Sequence, residues 1–176
     1  MQNHSAEIRQ VRALRGPNLY AYMPVLQVTL DVGSYEERPS TSFPGFTERL
    51  TAYLPGLHEH ECSLERPGGF VERLRRGTYL AHILEHVVLE LQGVVGFDVS
   101  YGRARGTGER GVYNVVIAYK EEEPAREAVY EGLKLILAAM HDEPYDLEEA
   151  LERLREVAEQ YPVSYTHLTL PTKRIV

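Results

Sequence analysis

The sequence predicts an α+β fold, a two-layer sandwich with paired helices on one face of a mainly antiparallel sheet of about four strands. Three observations predict it. Strand-type segments come in two groups, near residues 8–30 and 95–120; each group is followed by helix-type periodicity, giving the order ββααββαα; and the turn-rich residues 15–24 join the first two strands as antiparallel neighbours. At 176 residues and 43% hydrophobic, the chain suits one domain with a substantial core.

The elements follow in order. "AEIRQVRALRG" alternates loosely and ends in the turn-like "RGPN". "PVLQVTLDV" is clearer, with Val25, Gln27 and Thr29 on one face and Leu26, Val28 and Leu30 on the other. "YEERPSTSFPGF" reads as loop, and "TERLTAYLPGL" as a helix closed by Pro55-Gly56. "GGFVERLRRG" is a short helix with Gly77 at its C-terminal cap, after which Thr78 is a good N-cap. The next helix carries Leu80, Ile83, Leu84, Val87, Val88 and Leu91 as one apolar stripe. "GVVGFDVSYGRARGTGERG" then reads as a strand followed by a Gly- and Arg-rich loop, and "GVYNVVIAYK" as the strongest strand of the chain. Two amphipathic helices, 124–140 and 146–160, finish the pattern, with no internal repeat or low-complexity stretch.

Charge is uneven. Residues 121–159 hold thirteen acidic and four basic side chains, whereas residues 1–120 hold thirteen of each. That acidity argues against nucleic acid and suits a cationic ligand, or else marks a solvated helix face. Cys62 is the single cysteine, which excludes an intramolecular disulfide framework and fits a reducing cytoplasm. No apolar leader and no eighteen-residue apolar run occurs, so the expectation is a cytoplasmic protein without a membrane partner.

The chemistry-bearing motif is His82-x-x-Glu85-His86 inside "YLAHILEHVVLELQ". On a helix the two histidines lie about 40° apart, one turn along, so both rings reach one ion, and Glu85 falls about 60° from His82. This is the reversed zinc-peptidase pattern, in which zinc acidifies a water and the glutamate takes its proton. The competing reading is a polar helix face with Glu85 as a surface residue. A metal site needs a third ligand, and Glu90, Glu148, Glu149 and Glu152 are candidates. "HEHEC" places His58, His60 and Cys62 at alternating positions, as a weaker metal set or a polar loop. Gly102 to Gly111, with Arg103, Arg105 and Arg110, suits a phosphate or carboxylate, or is only a hairpin loop.

"LRGPNLYAY", "ERPSTSFPGF", "HEHECS", "RPGGFVERLRRGTYLAHILEHVVLELQ" and "GVYNVVIAYKEE", in this order, resemble the amino-terminal domain of the cyanophycin synthetase family, from about Ile8 to Tyr161. The resemblance implies a parent enzyme that extends a poly-aspartate backbone and attaches arginine to each aspartate side chain, using ATP and magnesium in an ATP-grasp and a Mur-ligase-like domain that follow this one. Neither is expected here, since no GxxxxGK[ST] stretch occurs. The resemblance further implies that this domain binds cyanophycin within a homo-oligomeric parent. In some members a zinc-peptidase-like site there cuts polymer into primers, which implies catalytic Glu85 with metal ligands His82 and His86, and Glu148 is favoured as the third. Arg103 and Arg105 would meet polymer carboxylates, and Glu149 and Glu152 its guanidiniums. The alternatives are a stand-alone zinc-dependent hydrolase and a non-catalytic interaction domain. The last fourteen residues, "VSYTHLTLPTKRIV", resemble a translated sequencing adapter, so residues 1–162 are the expected domain and 163–176 a non-native tail, with the native protein continuing past 162.

Overall fold

A computed structural model describes residues 5–62 and 65–160, so the expectation for Val163 to Val176 lies outside the described residues. Strands β1 (Glu7–Leu14) and β2 (Val25–Asp31) form a hairpin whose register shifts between Ile8 and Gln10. Strands β3 (Gly102–Gly106) and β4 (Val112–Ala118) form a second, and β2 pairs antiparallel with β4. The sheet order is therefore β1-β2-β4-β3. Leu26, Val28 and Leu30 are fully buried toward the helices, while Gln27 and Thr29 stay half-buried on the other face, as the period of two requires.

Helices α1 (Phe46–Tyr53), α2 (Gly69–Arg76) and α3 (Leu80–Val94) lie between the hairpins in sequence, and α4 (Glu122–Met140) and α5 (Leu147–Glu159) follow. The expected α+β class is present, with the order ββαααββαα: one helix more before β3 than the expected order has. Helix α3 lies across β3 and β4 beside α4, and the two helices meet at Gly132, where an added Cβ would sit 3.2 Å from Val88 Cγ2. Helix α5 packs mainly against α4. A buried carboxylate ties them: Glu131, 1% exposed, accepts from Tyr145 Oη (2.6 Å), Arg153 (2.8 Å) and Lys134 (3.2 Å). Asp146 caps α5 by accepting from Glu149 N–H.

One expectation needs correction. Strand β3 forms inside the Gly- and Arg-rich stretch read as loop, and residues 95–101 before it are not strand. Its residues have poor strand propensity, but the β4 edge offers a ladder. Gly108 and Gly111, both at positive φ, turn the chain back onto that edge. No helix among the described residues is long and apolar enough to cross a membrane.

Candidate metal centre

Helix α3 supplies the centre. Its apolar stripe, fully buried at Leu80, Ile83, Leu84, Val87, Val88 and Leu91, fixes the rotation of the helix against sheet and α4. His82, Glu85 and His86 then face a cleft, with α3 as floor, β3 as one wall and residues 56–62 as the other. The face is not a solvated one, because Glu85 and His86 are only 8% and 6% exposed. Residues 55–59 form a 3-10 turn that carries His60 and Cys62 over α3.

One potential ligand atom each from Cys62, His82 and His86 lies within 4.8 Å of the others. His82 Nε2 is 3.1 Å from Cys62 Sγ, and His82 Nδ1 is 2.8 Å from Thr78 Oγ1. Thr78 is thus no side-chain cap: Tyr79 occupies the N-cap position, and the Thr78 hydroxyl orients His82 instead. His86 stacks on Phe70 with ring centroids 4.1 Å apart and an angle of 16°.

A hydrogen-bond chain leads into the centre. Glu90 Oε2 lies 2.8 Å from His60 Nε2, and His60 Nδ1 lies 2.9 Å from His86 Nδ1. Where His60 donates from Nε2 to the carboxylate and accepts at Nδ1, His86 donates at Nδ1 and keeps a lone pair on Nε2. That Nε2 is 3.9 Å from Glu85 Oε1. Two glycines make room for the carboxylates. A Cβ at Gly102 would sit 2.6 Å from Glu85 Cγ, and one at Gly56 would collide with the Glu90 carboxylate.

Burial sets the protonation. It lowers His82 to about 4, aided by the Arg73 charge, and lowers His86 to about 2 together with the neighbouring His82 and His60. Both rings are therefore neutral near pH 7, the form that ligates metal. Burial raises Glu85 to about 7, and Arg103 partly counters it. A carboxyl poised there can both take and return a proton.

Two cavities open on the centre, of 930 Å³ toward Asp98 and 530 Å³ toward Tyr113. They share Cys62, His82, Glu85 and Ala104.

Residues 27–141 match the family model described as the cyanophycin synthase-like N-terminal domain. The chain belongs to this family. It is similar to the cyanophycin synthetases of Synechocystis sp. (42% identical over 156 residues), Geminocystis herdmanii (40% over 153) and Crocosphaera subtropica (37% over 153). In each case the match covers 86% of this chain and 18% of the relative, so the chain spans about a fifth of their length.

Within this cyanophycin synthase-like domain, three of the expected site residues, His82, Glu85 and His86, come together at the cleft. Glu148 does not join them. It stands exposed on the first turn of α5, which packs against α4, and α4 packs in turn on α3. Cys62 is the residue that lies with His82 and His86 instead. Glu149 and Glu152 are also exposed on α5 and line neither cavity, and Glu149 pairs with Arg153 at 2.9 Å. Arg103 and Arg105 are exposed on β3 at the cleft, one beside each cavity. The cluster "HEHEC" carried a signal for Cys62 and His60, although His58 is exposed.

Proposed function

We propose that this domain binds cyanophycin for a cyanophycin synthetase and carries a zinc-dependent hydrolytic site that cuts the polymer. The carrying observation is the convergence of Cys62, His82 and His86 within 4.8 Å, beside a buried Glu85 in an open cleft. The donor set fits zinc: a cysteine sulfur, which would ligate as thiolate, and two neutral imidazoles make a Cys/His set beside an open cleft. His60 and Glu90 support it as a carboxylate–histidine relay that fixes the His86 tautomer. A reducing, cytoplasmic setting keeps Cys62 a thiol.

When bound, zinc supplies the acidification of a water and polarises the substrate carbonyl. Glu85 would serve such a site as general base and acid, taking a proton at its carboxylate and returning it to the leaving amine. Phe70 and the apolar floor of α3 restrict water on the far side of the histidines. The carboxylates of Glu59, Glu61 and Asp98 around the larger cavity suit the arginine side groups of cyanophycin. In the longer relatives such a domain would hold polymer near distant ligase sites and raise its effective concentration there.

The test compares zinc content and cyanophycin cleavage of the chain with those of Glu85→Gln. Stoichiometric zinc in both, with cleavage only in the unsubstituted chain, is the expected result. Cleavage that survives the substitution, or polymer binding with no zinc in either protein, refutes the hydrolytic reading; the latter leaves a tethering domain.

A further inference from the structure

Strand β3 ends the sheet, and its outer edge faces the cleft. Among the described residues it pairs only with β4. In an antiparallel ladder the backbone groups of alternate residues point at the partner strand, and those between them point the other way. Ala118 N–H donates to Tyr101 O, and Thr107 N–H donates to Val112 O. Both rungs belong to the register that pairs Gly102 with Ile117, so residues 101, 103, 105 and 107 are turned toward β4. The N–H and C=O groups of Gly102, Ala104 and Gly106 therefore point to the free edge. They repeat every second residue, about 6.8 Å apart, which is the spacing of an extended peptide.

The side chains at these positions are hydrogen, methyl and hydrogen, so nothing bulky stands on the helix-facing side of the edge. Gly102 lies directly over Glu85, and Ala104 is one of the residues shared by the two cavities. The groove thus passes along β3 from one cavity to the other, with Cys62, His82 and Glu85 between them. Its two ends differ in charge balance: Glu59, Glu61, Glu90 and Asp98 outnumber Arg103 at one, while Arg73 and Arg105 stand with Glu36 at the other.

The geometry points to β3 as a docking strand: an extended polyamide main chain adds to the sheet at Gly102, Ala104 and Gly106, with cationic side groups over Glu59, Glu61 and Asp98. Main-chain pairing holds the polymer in register across the metal centre, and the side groups give selectivity. An edge used this way stays short and rich in glycine, which limits self-association while leaving the backbone accessible. The proposal rests on the polymer-binding reading for the identity of the ligand, a polyamide bearing arginine groups, but not on cleavage.

The experiment uses the 176-residue chain as Glu85→Gln and a synthetic six-unit poly-aspartate carrying arginine on every side chain. Amide hydrogen exchange by NMR is read with and without the probe. Exchange at Gly102, Ala104 and Gly106 is expected to slow at least tenfold on binding, while the amides already paired with β4 change little. Binding without protection at these three amides overturns the proposal, as does failure of the probe to bind. Ala104→Pro removes one outward N–H and no ladder bond. It is expected to weaken probe binding at least tenfold with zinc content unchanged, and unchanged affinity overturns the docking strand. Protection that persists in a chain that neither holds zinc nor cuts polymer supports the docking strand and sinks the hydrolytic reading alone.

Discussion

Replacing Gly102 by alanine tests whether the position of Glu85 matters to the chemistry. The new Cβ would lie 2.6 Å from Glu85 Cγ, 2.9 Å from Oε1 and 3.0 Å from Cδ. Ordinary contact begins near 3.4 Å, so the Glu85 side chain must retreat by about 0.8 Å. Its open direction is the cleft, where the larger cavity lies. The backbone needs no adjustment, since Gly102 is not at positive φ. A misplacement of about 1 Å costs on the order of 100-fold in rate, about 2.7 kcal/mol of transition-state stabilisation. If the carboxyl cannot retreat, the overpacking costs about 1–3 kcal/mol of stability instead. Cyanophycin cleavage, zinc content and urea denaturation, run together on Gly102→Ala and the unsubstituted chain, separate these outcomes. Cleavage reduced about 100-fold with zinc retained is expected. Unchanged cleavage refutes the reasoning, and so does loss of zinc, because the ligands are not the groups the methyl meets.

Other outcomes are expected at the same centre and behind it. Cys62→Ser should lower the zinc retained after dialysis, whereas Glu148→Gln should leave it unchanged; the reverse pattern, read by metal analysis, would restore the α5 glutamate as the ligand. His60→Ala breaks the relay to His86 and should weaken zinc affinity by about 10–100-fold in a competition titration, with the fold intact by circular dichroism. Leu84→Ala should cost about 2–5 kcal/mol in urea, because a fully buried side chain between α3 and α4 is removed. Glu131→Gln should cost about 1.5–3 kcal/mol at pH 7, since it removes a buried carboxylate held by Tyr145, Arg153 and Lys134. Burial opposes ionisation of Glu131, but these three donors outweigh it and hold its folded value below the ordinary carboxylate range. Its stabilisation is therefore complete above the unfolded carboxylate range and lost as pH falls through the lower folded value. Denaturation of both proteins across that window should show the difference narrowing with acid.

Much was legible in the sequence because it rests on short-range periodicity. The alternation of "PVLQVTLDV" placed β2, the stripe from Leu80 to Leu91 placed α3, and the spacing of His82, Glu85 and His86 put them on one helix face whatever the rest of the chain did. Tertiary structure decided what periodicity cannot carry. Strand β3 exists because β4 needs a partner, not because Gly-Arg-Ala-Arg-Gly favours extension. Cys62 rather than Glu148 stands beside His82 and His86 because the 3-10 turn after α1 folds over α3, while α4 lies between α3 and α5. The burial that neutralises both histidines and raises Glu85 likewise comes from elements distant in sequence, Phe70 and Gly102 among them. Residue spacing fixes which side chains share a helix face, but only packing of that face against other elements fixes what they meet and how dry the meeting place is.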